Sequence, residues 1–112
     1  MTIVNVKTEE TSTPLAANAQ YTGKIHVMDF VKYFKVFIIS DKAGTLYVKH
    51  SDDKNTWYDA DKSPFSYDST WVNIGINLAW RPFKKYMRVI YLNGTVAQTS
   101  FKLTVMLEVD LP

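Results

Sequence analysis

The two histidines are the first residues to consider for catalysis, because imidazole exchanges protons near neutral pH. His26 and His50 both lie in strand-like runs, and His50 continues the inward alternation of its strand. The adjacent carboxylates Glu9 and Glu10 lie in a polar spacer, where strand-like neighbours would point apart. The chain has no cysteine, no serine nucleophile motif and only four scattered glycines. We therefore predict that the protein is not an enzyme.

Oxygen-bearing side chains between Ser51 and Asp61 are a potential set of calcium ligands. The segment lacks the central glycine and the terminal glutamate of an EF-hand loop. Aspartate and asparagine also cap turns by accepting hydrogen bonds from nearby backbone amides. Turn capping is the default interpretation, and we predict no metal and no cofactor.

Aromatic residues are concentrated between positions 57 and 80. Exposed rings in this region could stack on sugars or dock into a neighbouring subunit. The candidates for ligand stacking are Trp57, Tyr58 and Trp80. The alternative is that the rings close the open end of a sandwich, and this alternative is favoured for Trp57 and Trp71. Trp80, beside an arginine and a proline, is the better candidate for a surface role.

Charge separates along the chain although the formal net charge is only +2. Residues 52–68 carry five aspartates against two lysines, whereas residues 81–88 carry four basic residues and no acidic one. Two oppositely charged patches suit head-to-tail contact between copies, and they are equally compatible with an ordinary solvated surface. The candidate partner-binding residues are Asp52, Asp53, Asp59, Asp61, Arg81, Lys84 and Lys85. No recognition motif accompanies the basic segment, so we predict no nucleic-acid partner.

Hydrophobic alternation with a period of two residues predicts the fold class. Apolar side chains occupy every second position from Phe101 to Val109 and from Val72 to Leu78. No segment longer than a turn has apolar residues at helical spacing. The 112 residues therefore predict one all-β domain, an antiparallel, jelly-roll-like β-sandwich of seven or eight short strands.

Turn chemistry predicts two β-hairpins. Asn93 and Gly94 follow a strand-like run at 86–92, and both residues tolerate the positive φ of a two-residue turn. Asp41 and Gly44 bound a second turn, between strand-like runs at 33–40 and 45–50, and Gly44 is expected in the left-handed conformation. A further strand, interrupted by a glycine, is expected near residues 19–27.

The N-terminal residues are expected to form a unit of their own. Residues 8–14 are polar and separate Ile3, Val4 and Val6 from the first clear strand pattern. We therefore predict an N-terminal arm and spacer at 1–14 and a single sandwich domain at 15–112. The arm would add to the sheet edge of another chain, and the alternative is an edge strand of its own domain. Neither a leader segment nor a membrane partner is expected.

The order of these motifs resembles that of the short β-sandwich modules in virion structural proteins of tailed bacteriophages and related prokaryotic viruses. The motifs are SDKAGTLYV at 40–48, SDDKNTW at 51–57 and YMRVIYLNG at 86–94, and the resemblance covers about residues 20–107. These modules usually have a glycine where this chain has Lys54 and Asn55. The resemblance implies a structural virion protein, because such modules decorate capsids, cap vertices or form parts of fibres and host-binding proteins.

We therefore predict a non-enzymatic viral structural protein, a capsid decoration or auxiliary head protein that oligomerises and docks on a larger lattice. The predicted partners are copies of itself, for example in a trimer, and the major capsid protein or another virion protein. The alternative is a module of a tail fibre or adhesin that binds carbohydrate or a host receptor, such as a host surface glycan. The predicted location is the capsid or tail surface of the virion, after synthesis in the host cytoplasm.

Overall fold

The structure, a computed structural model, describes residues 2–65, 70–75 and 85–111. Within these ranges the regular structure consists of nine β-strands: β1 (Thr2–Thr11), β2 (Gln20–Thr22), β3 (His26–Val27), β4 (Val31–Ser40), β5 (Gly44–Ser51), β6 (Tyr58–Phe65), β7 (Thr70–Gly75), β8 (Tyr86–Asn93) and β9 (Phe101–Leu111). No helix in the described part of the chain is long and apolar enough to cross a membrane.

The strands form two antiparallel sheets. The first sheet has the order β1-β9-β4-β7, and the second has the order β2-β8-β5-β6 with β3 also paired to β8. Successive strands repeatedly change sheets, which is the connectivity of a jelly roll. The predicted all-β sandwich is confirmed. The strand count exceeds the expected number because the segment near residues 19–27 forms two short strands, β2 and β3.

The core lies between the two sheets and follows the period-two pattern of the strands. The apolar face predicted for the C-terminal strand is confirmed, since its alternate side chains are buried. The buried apolar residues are Met28, Val31, Phe34, Val36, Ile38, Leu46, Val48, Met87, Val89, Tyr91, Phe101, Leu103, Val105 and Leu107.

The prediction of two β-hairpins is wrong. β4 and β5 belong to different sheets, and so do β8 and β9, so the turns after Ser40 and Asn93 cross from one layer to the other. No described glycine has a positive φ, which contradicts the left-handed conformation expected at Gly44. A Cβ atom at Gly44 would lie 2.7 Å from the carbonyl oxygen of Leu92. Glycine is therefore required here by the close approach of β8 and not by turn geometry.

A buried polar network closes the end of the sandwich at which these turns lie. Gln98 Nε2 donates a hydrogen bond to Ser40 Oγ at 2.9 Å, and the backbone amide of Leu15 donates to Gln98 Oε1 at 2.9 Å. Asn93 Nδ2 donates, at 3.0 to 3.3 Å, to the carbonyl oxygens of Leu15, Ala16 and Val96. Asn93 thus connects two loops as a hydrogen-bond donor, which is a different role from the turn residue predicted.

Candidate functional site

The N-terminal half of β1 extends beyond the cover of the second sheet. Residues 2–7 are all exposed, although their backbones pair with residues 106–111 of β9. Leu111 is 43% exposed, whereas Leu103 and Val105, further back along β9, are fully buried. The first sheet is therefore open to solvent at this end. We call residues 2–7 the β1 overhang.

Apolar side chains line the inner face of the β1 overhang. Val4 and Val6 are 37% and 42% exposed, and they lie opposite Val109 and Leu107 of β9. Ile3 is 53% exposed and points to the outer face, because neighbouring residues of a strand alternate. All three residues predicted for the arm are thus exposed. They lie on two faces of a paired edge strand, which corresponds to the alternative to a detached arm.

The outer edge of β1 has no strand beside it in the described part of the chain, because its one neighbour there is β9. An open strand edge carries unpaired backbone donors and acceptors and can add a strand of another chain. The pairing with β9 shifts register between Lys7 and Glu9, so Thr8 forms a bulge. The bulge therefore separates the β1 overhang from residues 9–11, the other regularly paired part of the strand.

A buried carboxylate fastens the middle of β1 to the second sheet. Glu9 Oε2 accepts hydrogen bonds from the Tyr21 hydroxyl and from the backbone amide of Lys24, the latter at 3.3 Å. Its Oε1 lies 3.7 Å from His26 Nε2, and the same nitrogen lies 2.8 Å from Thr8 Oγ1. We call Thr8, Glu9, Tyr21 and His26 the β1 clasp.

Burial disfavours the charged forms of the titratable partners of Glu9. Desolvation, followed by the hydrogen bond to Glu9, raises the pKa of Tyr21 well above its usual value. Desolvation lowers the pKa of His26, although the Glu9 carboxylate acts in the opposite direction. The Glu9 and His26 side chains are only 8% and 3% exposed. A substrate therefore cannot reach them, and the β1 clasp is a structural contact.

The expectation that Glu9 lies in a solvated spacer is wrong. Glu10 does face solvent and accepts a hydrogen bond from Thr104 at 2.9 Å, so the two carboxylates point apart as predicted. Glu9 points inward to partners that are distant in sequence, which a local pattern does not reveal. The sequence feature related to this contact is Gly23, because a Cβ atom there would lie 2.6 Å from Glu9 Oε2.

Asp53 organises the loop between β5 and β6. Its Oδ1 accepts hydrogen bonds from the backbone amides of Thr56 and Asn55 at 2.8 Å each and from Ser51 Oγ at 3.0 Å. These hydrogen bonds, with that of Thr56 the largest cause, lower the pKa of Asp53. The turn-capping interpretation is therefore confirmed for Asp53. The described residues contain no group of three or more His, Cys, Asp or Glu side chains that could hold a metal ion.

The remaining predicted acidic residues have individual surroundings. Asp59 Oδ1 lies 2.9 Å from Lys49 Nζ in an ion pair within the second sheet. Asp61 lies in β6 opposite Val48, and Asp52 is exposed in the loop after β5.

The acidic loop and the basic segment meet on one surface. Lys54 Nζ and Lys85 Nζ lie 4.9 Å and 5.6 Å from the ring centroid of Tyr86, so the loop that carries Asp52 and Asp53 is next to Lys85. Arg81 and Lys84 lie outside the described residues. Head-to-tail contact through the charged residues stays a prediction. The described residues do not form two separate patches of opposite sign.

The aromatic residues predicted for ligand stacking do not form one platform. The guanidinium of Arg88 lies 5.1 Å from the ring centroid of Trp57, on the outer side of the second sheet. The Tyr58 ring lies 5.8 Å from that of His50, which alternates with the buried residues of β5 on the inner side. Trp57 and Tyr58 therefore face opposite sides of the sheet. Trp80 lies outside the described residues.

Comparison with known families gives a match over nearly the whole chain. The model of the family described as "Uncharacterised protein YqxG N-terminal domain" matches residues 1–108. No curated protein matches the sequence.

Several solved structures share the fold. The PBSX exported protein XepA is 22% identical with a TM-score of 0.75, and the match covers 97% of this chain and 38% of the XepA chain. A protein of the Bacillus endospore appendages, described as disulfide-linked pili, is 15% identical with a TM-score of 0.59, covering 97% of this chain and 90% of that one. The coat protein of Tobacco streak virus is 8% identical with a TM-score of 0.50, covering 98% and 88%. At these identities the likeness shows a common β-sandwich fold.

Proposed function

This chain belongs to the family of the YqxG N-terminal domain. From that premise we propose that it is a non-enzymatic structural module of a phage-type virion. We propose that it is attached to the capsid as a decoration or auxiliary head protein. It acts by associating with copies of itself and by docking on a larger assembly. The observation that carries this proposal is the β1 overhang, an exposed edge strand with an apolar inner face.

The chemistry of the β1 overhang supports association. Single exposed valines are common on soluble proteins, but Val4, Val6 and Leu111 extend one uncovered sheet face beside an open edge. A second chain at this edge would satisfy backbone hydrogen bonds and cover these side chains at the same time. Both gains come from one contact, so the strand favours a protein partner.

The structural neighbours support the same class of function. Two of them are described as pili and as a viral coat protein, which are assemblies of repeated subunits. XepA is described as a PBSX exported protein, which supports a location outside the cell that makes the protein. The present chain spans 38% of the XepA chain, so the proposal concerns this domain and not the activity of the longer protein.

Self-association is tested with the double variant V4K/V6K. Light scattering after size exclusion should give an oligomer for the unchanged chain and a monomer of 12.9 kDa for the variant. Val96→Lys is the matched control, because Val96 is an exposed valine in the loop between β8 and β9, at the other end of the molecule. It should leave the oligomer intact. Circular dichroism checks that all three proteins are folded. An unchanged mass for folded V4K/V6K would contradict the role of the β1 overhang.

Attachment to a virion is tested in the cell that encodes the protein. Gradient centrifugation of a lysate, followed by detection with an antibody, should place the protein in the fractions that contain phage particles. V4K/V6K expressed in its place should leave those fractions. Recovery of the unchanged protein only at the top of the gradient, as free protein, would contradict the virion proposal.

A further inference from the structure

Basic side chains on the outer face of the second sheet lie over the rings of neighbouring aromatic residues. Besides the two lysines that flank Tyr86, Arg88 lies over Trp57, and Lys49 Nζ is 5.3 Å from the ring centroid of Tyr47. Such cation–π contacts hold a positive charge at a defined place on the surface. We call the four basic residues the cation ladder: Lys49, Lys54, Lys85 and Arg88.

The cation ladder is continuous across β5, β8 and the loop after β5. Lys49 and Arg88 are directly paired residues of neighbouring strands. The Trp57 indole, over which Arg88 lies, donates a hydrogen bond to the carbonyl oxygen of Lys54 at 3.1 Å. Arg88 stands between two buried residues of β8, which places it on the outer face of the sheet.

Hydrogen bonds further fix the guanidinium group of Arg88 and the backbone of Lys54. Arg88 Nη2 donates to the carbonyl oxygen of Gly23 at 3.0 Å. Lys54 has a left-handed backbone with a φ of 67°, and its amide donates to Ser51 Oγ at 2.9 Å. Cations that are already positioned lose less conformational entropy when they bind an anion. Each of these rings has a cation over it, so the surface presents positive charges together with its aromatic rings.

Carboxylates lie among the cations. Asp59 pairs with Lys49, and Asp52 and Asp53 are exposed in the loop that carries Lys54. Among the residues that the structure describes on this surface, four basic and three acidic side chains give a net charge of +1. Nucleic acid carries a charge about every 1.7 Å along the duplex axis, and such a ligand needs a denser set of cations. The carboxylates are instead suitable acceptors for hydroxyl groups.

We propose that the cation ladder binds an acidic glycan, a polymer in which carboxylate or phosphodiester groups are separated by neutral sugar units. The anionic groups contact the exposed Lys54 and Lys85, and sugar hydroxyls donate hydrogen bonds to Asp52 and Asp59. The surface lies on the second sheet, whereas the β1 overhang belongs to the first sheet. Glycan binding and self-association are therefore separate properties that can fail independently.

Calorimetric titration of the full chain with four probes tests the proposal: polygalacturonate, phosphomannan, neutral dextran and single-stranded oligo(dT). We expect saturable binding of polygalacturonate or phosphomannan that weakens with added salt, and the preferred probe identifies the anionic group. The variant K54Q/K85Q should bind that probe about tenfold more weakly, because it loses two charge-assisted contacts. The matched control K32Q/K102Q removes two exposed lysines from the first sheet and should bind as the unchanged chain does.

Four outcomes would overturn the proposal. They are absence of binding to both acidic glycans, equal binding of neutral dextran, tighter binding of oligo(dT), and an equal loss of affinity in K32Q/K102Q. The mass of each variant by light scattering keeps this result separate from the self-association test.

Discussion

At the scale of single residues, the buried imidazole of His26 couples folding to pH. Burial holds its pKa below the ordinary value of 6.5, so the unfolded chain takes up a proton at a higher pH than the folded one. Stability is therefore complete above about pH 6.5 and is lost as the pH falls toward the folded pKa. Urea unfolding between about pH 7.5 and 5.5 should show a falling free energy of unfolding. His26→Gln should flatten this dependence. An equal slope in His26→Gln would contradict the assignment.

Gly23 makes a second prediction at the residue scale. A Cβ there would meet Glu9 Oε2 at 2.6 Å and Val89 Cγ2 at 2.8 Å, so Gly23→Ala should lower the free energy of unfolding by about 1–3 kcal/mol. Glu9→Ala removes the first of these contacts. The double variant should therefore lose less stability than the sum of the two single variants. Additive losses in this cycle would show that Gly23 and Glu9 do not interact.

At the scale of elements, β9 supplies the inner face of the first sheet. Leu103 is fully buried between the sheets, so Leu103→Ala should cost about 2–5 kcal/mol in chemical denaturation. Lys102, the exposed neighbour in the same strand, provides the control, and Lys102→Ala should change stability by less than about 1 kcal/mol. A larger loss for Lys102→Ala than for Leu103→Ala would mean that the inner and outer faces of β9 had been assigned the wrong way round.

Most strands were predictable from sequence, but β6 and the pairing of the strands were not. Alternation from Phe101 to Val109 depends on which side of one strand is buried, and that information is local. The ends of the strands near Ser40 and Asn93 were predicted, yet turn residues do not specify whether the next strand stays in the same sheet. The pairing of β1 with β9 joins the two ends of the chain, and no local pattern encodes a contact of that separation.

At the scale of the whole molecule, the candidate surfaces were likewise predictable only where they depend on residues close together in the sequence. The apolar residues of the N-terminal segment are visible in the sequence, and they are exposed as expected. The contact of Arg88 with Trp57 joins a strand to a loop about thirty residues away in the chain, and Glu9 meets partners in two other strands. These contacts depend on sheet order, so residue types alone did not bring the cation ladder or the β1 clasp together.

The whole molecule should tolerate the loss of the β1 overhang but not of the β1 clasp. A deletion of residues 1–7 takes away the exposed side chains of residues 2–7, while residues 8–11 keep the Glu9 contacts and their pairing with β9. We expect this protein to remain folded and to become monomeric.

Deleting residues 1–11 also removes Thr8 and Glu9 and uncovers the edge of β9 beside the core. Its thermal midpoint should fall well below that of the shorter deletion, because His26 and Tyr21 then lose their buried partner. Light scattering tests the first expectation, and an oligomer that survives the deletion of residues 1–7 would mean that the β1 overhang has no role in assembly. Calorimetry tests the second, and equal thermal midpoints of the two proteins would mean that the β1 clasp contributes nothing to stability.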